Sequence, residues 1–250
     1  MRIKKPLYLR KKKASNIAKK PKISNAVRKY VRTSIHKNIE NKMIITQSPN
    51  NSITGPQFIL PLTPLISQGL GPSARIGNKI NLLSANLSFV INLIPYNVST
   101  NPACTPVMFR WMLITQLNSN GSVLSLSNFF QVNNSSIAIQ GNQMDLILKV
   151  NDELFKVHKQ GQFRLGASSN SITYPASASI AMEAGKYSLQ KRIYFNKYLH
   201  KKINYDDTVV TPTNTNLWFV LFPVYANGSS NVGYINSNIS YVYTHTYEDA

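Results

Sequence analysis

The cations of this chain are concentrated at its N-terminal end. Residues 1–42 contain 15 of the 28 Lys and Arg residues and one acid, Glu40, so this segment carries a net charge of 15 − 1 = +14 and leaves +5 for residues 43–250. Clustered ammonium and guanidinium groups attract a polyanion such as nucleic acid by charge alone. Because few large apolar residues accompany them, the first two dozen residues are predicted to be disordered until a counter-charge arrives.

We predict contacts to nucleic-acid phosphates in this basic arm and in two basic segments of the body. The predicted residues are Arg2, Lys4, Lys5, Arg10, Lys11, Lys12, Lys13, Lys19, Lys20, Lys22, Arg28, Lys29, Arg32 and Lys37 in the arm, and Lys156, Lys159, Lys197, Lys201 and Lys202 in the body. A solvated tail or a nuclear localisation signal is the alternative for the arm. Import and nucleic-acid binding are compatible, because both use the same exposed lysines.

Histidines and aromatic residues accompany the cations of the body. His158 and His200 each lie within a predicted basic strand, where a partly protonated imidazole can face phosphate. An ordinary surface or core histidine is the alternative. In residues 186–205, Tyr and Phe are mixed with Lys and Arg, which suits stacking on unpaired bases, whereas burial in the core is the alternative for any one ring.

Residues suited to catalysis or metal binding are few. Of nine acids, 9 − 1 = 8 lie outside the arm, and the adjacent Asp206 and Asp207 would not point at one bond as two catalytic carboxylates must. A divalent cation at this pair is an alternative to a solvated turn. The histidines and the single cysteine show no zinc-ligand spacing, and the chain has no phosphate-binding glycine loop. The sequence therefore predicts a protein that is not an enzyme and has no metal or cofactor.

The elements that must position these residues are predicted to be mostly strands. An apolar stripe in residues 24–42 predicts a short basic amphipathic helix that packs on the body, with or without offering its cations to nucleic acid. Prolines predict a connecting loop over residues 43–74. Strands are predicted at residues 79–94, 107–117, 123–132, 145–150, 154–165, 188–195, 197–205, 217–224 and 239–247. These short runs with long connections favour an all-β fold, a single eight-stranded, two-sheet jelly roll over residues 75–250.

Several short motifs, taken in order, resemble a known family. The segment QGLG at residues 68–71, followed by RIGNKI at residues 75–80, resembles the approach to the first jelly-roll strand in capsid proteins of circovirus-like, circular single-stranded DNA viruses. Later strands of that family are similar to FRWMLIT at residues 109–115, LFKVHKQGQFRL at 154–165, KKINYD at 201–206, LWFVLFPV at 217–224 and SYVYTHTYED at 240–249. The resemblance covers nearly the whole chain, although the arm here is rich in Lys where many relatives are rich in Arg.

The resemblance implies a viral capsid protein that assembles with itself. The expected particle is the smallest icosahedral shell (T=1), with on the order of sixty subunits whose basic arms bind a single-stranded DNA genome. A nuclear localisation signal in the arm would make a host nuclear import receptor a partner, and a capsid protein is also expected to have a host surface receptor and to be located in the virion and, during assembly, in the host nucleus. A coat protein for single-stranded RNA and a monomeric nucleic-acid-binding protein are the alternatives, because a basic arm does not distinguish the sugars.

Overall fold

A computed structural model describes residues 24–38, 41–94, 105–117, 124–133, 135–167, 185–228 and 237–249. The chain divides into two compact units, Met1–Ile39 and Glu40–Ala250. The first unit contains the helix α1 (Asn25–Asn38), which confirms the helix predicted there. Ser24 caps this helix, since its Oγ accepts a hydrogen bond from the backbone N–H of Val27 at 3.2 Å. Docking of the helix on the second unit stays a prediction.

The second unit is built from strands. The part that the structure describes contains β1 (Asn41–Ile53), β2 (Phe58–Pro61), β3 (Lys79–Leu93), β4 (Val107–Gln116), β5 (Phe130–Val132), β6 (Ser135–Ile137), the short helix α2 (Met144–Ile147), β7 (Phe155–Ala167), β8 (Gly185–Lys186), β9 (Ser188–Tyr194), a 3₁₀ helix (Asn196–Tyr198), β10 (Lys202–Asn204), β11 (Trp218–Tyr225) and β12 (Ser237–Asp249). The all-β class predicted from the sequence is therefore confirmed.

The strands form two main antiparallel sheets. Sheet 1 has the order β1-β12-β3, with β9 and β10 pairing along the other edge of β3, and sheet 2 has the order β2-β11-β4-β7-β8. Strands that follow one another in the chain mostly change sheet, so that β1, β3 and β12 alternate with β2, β4 and β11. This arrangement is jelly-roll-like.

The inner faces of the two sheets pack on each other. Phe89 of β3 meets Phe219 of β11 with ring centroids 5.1 Å apart, and Trp111 of β4 stacks on the same Phe219 at 6.4 Å. A second apolar cluster covers the outer face of sheet 2, where Phe129 and Phe130 pack on Phe222. Strand β11 is consequently buried on both faces, as its unbroken apolar sequence requires.

The segment between β4 and β7 differs from its predicted structure. Strands were predicted at residues 123–132 and 145–150, but the structure has only the short β5 in the first range, and the second begins within the helix α2. A short apolar run fits a helical turn as well as a strand, because so few residues do not show a periodicity; in α2, Leu146 is buried whereas Met144 and Ile147 are exposed. Residues 197–205, predicted as one strand, begin with the 3₁₀ helix and pair only from Lys202 onward.

The proline-rich segment 43–74, predicted as a connecting loop, contains most of β1 and all of β2. Pro49 lies where the register between β1 and β12 shifts, and Pro61 is the last residue of β2. Both strands lie at a sheet edge, where a proline interrupts no ladder on the open side. The RIGNKI motif therefore leads into the third strand of the unit and not into the first.

Arg75 of that motif is fully buried and fixes the approach to β3. Its guanidinium donates to the backbone oxygens of Ile66 (3.3 Å), Gly77 (2.7 Å), Asp206 (3.0 Å) and Val209 (2.9 Å) and to Oδ1 of Asn78 (3.0 Å). Its Cζ also lies 4.6 Å from the ring centroid of Tyr205. Arg75 thus connects two loops of the body, and its charge is not exposed to a ligand.

Candidate nucleic-acid interface

A cleft of about 710 Å³ lies at the place where two of the predicted basic segments meet. Its lining comes from the ends of β4 and β7, from the 3₁₀ helix and the residues after it, and from the loop before β11. The lining residues are Thr115, Leu117, Lys156, His158, Lys197, Tyr198, Leu199, His200, Thr213, Asn214, Thr215 and Asn216. We call this the His158 cleft. Two lysines, two histidines and no carboxylate line it, so it is suited to an anion.

An irregularity in β7 places His158 in this cleft. The pairing of β4 with β7 shifts register between Leu113 and Ile114, which are opposite Lys159 and Val157, so that His158 is the extra residue. This extra residue is a β-bulge, and it interrupts the strict alternation of side chains between the two faces of β7. The imidazole of His158 stacks on the ring of Tyr198, with centroids 4.9 Å apart and planes 28° apart.

A hydroxyl fixes the orientation of this imidazole. Oγ1 of Thr115 donates to the backbone oxygen of Asn216 at 3.0 Å, and the same oxygen lies 2.8 Å from Nε2 of His158. Burial and, second, the nearby Lys156 lower the pKa of His158 below its usual value. The imidazole is therefore neutral at neutral pH, although it lies among cations.

Side-chain amides hold the loop that forms the far wall of the cleft. Asn216 accepts from the backbone N–H of Gln116 at 3.2 Å and donates to its oxygen at 3.2 Å. Asn214 accepts from the N–H of Asn204 at 3.0 Å and donates to the oxygen of Lys202 at 2.9 Å. The loop is thus bound to β4 on one side and to β10 on the other, which gives the cleft a fixed shape.

The other predicted cations of the body lie outside the cleft lining. Lys159 is exposed on β7 near Lys191, and burial and then the charge of Lys159 lower the pKa of Lys191. The Nζ of Lys191 lies 4.6 Å from the ring centroid of Trp111. Lys201 and Lys202 are exposed directly after the turn that carries His200. The structure thus brings Lys156 and Lys197 together in the lining of one cleft and leaves Lys159, Lys201 and Lys202 exposed outside that lining.

The aromatic residues of segment 186–205 divide into two groups. Phe195 and Tyr205 are buried, and the hydroxyl of Tyr205 donates to the backbone oxygen of Pro64 at 3.0 Å. Tyr194 is exposed, with the guanidinium of Arg192 5.1 Å from its ring centroid. Tyr198 lines the cleft, with Nζ of Lys197 5.0 Å from its ring centroid. Base stacking therefore stays a prediction for Tyr194 and Tyr198, whereas Phe195 and Tyr205 belong to the core and Tyr187 is partly buried against it.

Most of the arm lies outside the described residues. This applies to Arg2, Lys4, Lys5, Arg10, Lys11, Lys12, Lys13, Lys19, Lys20 and Lys22. Arg28 and Lys29 are exposed on α1, and Arg32 and Lys37 are on the same helix with side chains outside the described part. Lys42, counted with the arm by its charge, is instead buried in β1 and pairs with Asp249 of β12 at 2.6 Å.

The described residues offer no evident metal site, since no group of three or more His, Cys, Asp or Glu side chains among them lies close enough to hold an ion. At the predicted acidic pair, Asp207 accepts a hydrogen bond from the side chain of Asn78, and the backbone oxygen of Asp206 accepts from Arg75. This pair stabilises the loop around Arg75.

The sequence signal for the cleft was incomplete. Lys156, His158, Lys197 and His200 could be selected by charge, but Thr115 and Asn216 come from distant segments without any local motif.

No helix in the described ranges is both long and apolar enough to cross a membrane. In comparisons with known proteins, the chain matches no family model and no curated protein.

Proposed function

We propose that this chain is the coat subunit of a small icosahedral shell that packages single-stranded DNA. The observation that carries the proposal is the combination of a jelly-roll-like, two-sheet body with a basic N-terminal segment of net charge +14. The first is an architecture from which viral coats are built, and the second neutralises phosphate without reading sequence. The resemblance of the ordered motifs to circovirus-like capsid proteins supports the same conclusion.

The amount of positive charge on the arm is consistent with packaging of a nucleic-acid genome. About sixty arms of this charge supply on the order of 800 positive charges, which neutralise a similar number of phosphates and leave the remainder to counter-ions. Because these cations are mostly lysines, which bind phosphate as point charges, binding depends on salt more than on geometry. In this proposal the partners are other copies of the chain, the DNA genome, a nuclear import receptor and a host surface receptor, and the protein is located in the virion and the host nucleus.

The experiment is to express the full chain, separate it by size exclusion and view the product by negative-stain electron microscopy. Opened particles are then treated with DNase and with RNase. Uniform round particles that contain DNase-sensitive nucleic acid are expected. A species of 28.1 kDa that stays monomeric at high concentration and moderate salt would overturn the proposal in favour of a monomeric nucleic-acid-binding protein. Particles whose content is sensitive only to RNase would contradict the DNA cargo and favour an RNA coat.

A further inference from the structure

We propose that the His158 cleft is a subsite for one phosphodiester group of single-stranded nucleic acid, held by Lys156 and Lys197 and by a proton on Nδ1 of His158. The inference rests on the proposed function in one respect, namely that the bound strand is the packaged one. Three properties of the cleft carry it: its charge, the state of its imidazole and its shape.

Among the described residues that line the cleft, none carries a negative charge that would compensate the lysines. Lys156 comes from β7, Lys197 from the 3₁₀ helix and His200 from the residues after it, and no acid is among the lining residues. Both lysine side chains are exposed, so their ammonium groups are accessible to a ligand. Two cations from separate segments that face one concave space raise the local concentration of anions.

The hydrogen bonds of His158 determine which ring nitrogen meets the ligand. Thr115 gives its proton to the backbone oxygen of Asn216, so its own oxygen is an acceptor for Nε2–H of His158. This tautomer leaves the lone pair on Nδ1. A second proton is therefore added at Nδ1, where it forms a charge-assisted hydrogen bond to a phosphate oxygen.

Proton uptake links binding to pH. The charged and titratable groups around His158 are Lys156 on its own strand and Lys197, Tyr198 and His200 from the turn, whereas β4 and the loop 213–216 supply only neutral groups. Burial and Lys156 disfavour the imidazolium in the free protein. A phosphate beside the ring favours the imidazolium, so binding takes up a proton and becomes tighter as the pH falls.

The shape of the cleft favours a nucleotide of a single strand. Its volume of about 710 Å³ lies in the range of small-ligand sites, roughly 300–1,000 Å³, and a duplex is too wide to enter such a space. Threonine hydroxyls and asparagine amides complete the lining beside the cations. Groups of these types contact sugars and base edges in nucleic-acid complexes. A sulfated polysaccharide, which follows exposed tracks of lysine, is the other occupant that the test must separate.

The test uses the full chain and hydrogen–deuterium exchange at the C2 position of each histidine, read by mass spectrometry with and without hexathymidylate. We expect the oligonucleotide to raise the pKa of His158 by about one unit. His245, which is buried in the core, is the internal control and should not respond, and His36 in the basic segment reports binding to the arm. A response at His36 with none at His158 would overturn the proposal.

Variants distinguish binding in the cleft from general attraction of the oligonucleotide by surface charge. The double variant Lys156→Gln/Lys197→Gln should abolish the response of His158 to hexathymidylate, whereas Lys79→Gln/Lys186→Gln, which removes the same charge from exposed positions elsewhere, should preserve it. His158→Gln should weaken the pH dependence of binding between about pH 5.5 and 7.5, since the proton acceptor is gone. Equal loss of the response in the two double variants would overturn the subsite.

Two further experiments identify the ligand and distinguish a failure of this inference from a failure of the proposed function. A heparin hexasaccharide that shifts His158 when hexathymidylate does not would overturn the nucleic-acid assignment in favour of a sulfated glycan. The exchange measurement is also made on whatever species size exclusion yields. A shift at His158 in a protein that forms no particles supports the subsite while the coat proposal fails, and particles without the shift give the opposite result.

Discussion

The guanidinium of Arg75 is surrounded by oxygens of the protein itself, and five hydrogen bonds depend on it. A lysine carries its three N–H donors on one nitrogen atom and cannot match the planar, forked arrangement of the guanidinium donors. We expect Arg75→Lys to reduce the free energy of unfolding by about 2–4 kcal/mol, because buried carbonyl oxygens lose their donors. Urea unfolding of full-length protein measures this. Arg192→Lys at an exposed position of β9 is the control, and an equal loss in both would contradict the role of Arg75.

The buried imidazole of His245 should make the free energy of unfolding depend on pH. Burial lowers the pKa of His245 to about 4, while its Nε2–H donates to the backbone oxygen of Leu62 at 2.9 Å. The unfolded chain therefore binds the proton more readily, with a pKa near 6.5. The stabilising contribution of the neutral ring is complete above pH of about 6.5 and is lost as the pH falls toward about 4, at about 1.4 kcal/mol per unit and roughly 3 kcal/mol in total.

The variant His245→Gln checks this pH dependence, because glutamine can keep a donor toward Leu62 but cannot take up the proton. Unfolding free energies measured between about pH 4 and 7.5 should show a shallower slope for this variant than for the wild type. His200→Gln, an exposed position, should keep the wild-type slope. If His245→Gln retained the full slope, other groups would account for the acid sensitivity.

Single residues also show where sequence reasoning stops. Lys156 and Lys197 could be predicted as anion contacts because an exposed cation needs no partner to be recognised. The role of Thr115 could not, since its hydrogen bond to His158 spans 43 residues and that to Asn216 spans 101. Charge alone also assigned Lys42 to the arm, although its ammonium donates to Asp249 and to the backbone oxygen of Ala74 inside the body.

At the scale of elements, the close approach of β7 to β4 depends on Gly161. A Cβ built at this position would lie 2.7 Å from Nε1 of Trp111 and 2.9 Å from Cε2 of the same buried ring. We expect Gly161→Ala to reduce the free energy of unfolding by about 1–3 kcal/mol, since the tryptophan also stacks on Phe219 and has little room to move. Thermal or urea unfolding measures the loss.

The matched control for this substitution is Gly55→Ala. The nearest atom to a Cβ at that position is the backbone oxygen of Gln57 at 4.0 Å, which is an ordinary contact. Its free energy of unfolding should change by less than about 0.5 kcal/mol. Equal stability of the two variants would show that β7 can move away from Trp111 at little cost.

The strands predicted correctly include long ones and the shorter β9 and β11, whose predicted ranges 188–195 and 217–224 differ from the structure by no more than one residue at either end. Strands β3, β4 and β7 have ten or more residues each, and their predicted ranges nearly coincide with the structure. Strand β1 was missed because three prolines in its neighbourhood suggested a loop, while the partner that defines it, β12, lies about 200 residues away. Residues 145–150 were assigned to a strand because the four residues of α2 are too few to show a helical period.

At the scale of the whole molecule, the arm and the body should be separable in function. Residues 1–23 contain ten Lys and Arg residues and no acid, so their deletion changes the net charge from +19 to 19 − 10 = +9. We expect the shortened chain to form particles that contain little nucleic acid, because the body keeps its sheets while most of the neutralising charge is gone. The deletion ends before Lys42, which the body needs for its ion pair with Asp249.

The absorbance ratio at 260 and 280 nm and electron microscopy of the purified particles measure this outcome. A variant with the ten cations replaced by Gln is the control for chain length, and it should also give particles poor in nucleic acid. Loss of all particles in both variants would indicate that assembly requires bound nucleic acid. Normal nucleic-acid content in both would place the packaging charge on the body.

The order of strands in sheet 1 determines when β1 can pair while the chain is being synthesised on the ribosome. Strand β12 lies between β1 and β3, yet it is the last of the three to be synthesised. Until it emerges, the long edge of β1 has no ladder to join within its own sheet, and an open edge can pair with a neighbouring nascent chain. The edge of β1 therefore stays open until β12 has been synthesised, and slow synthesis of residues 205–237 lengthens that interval.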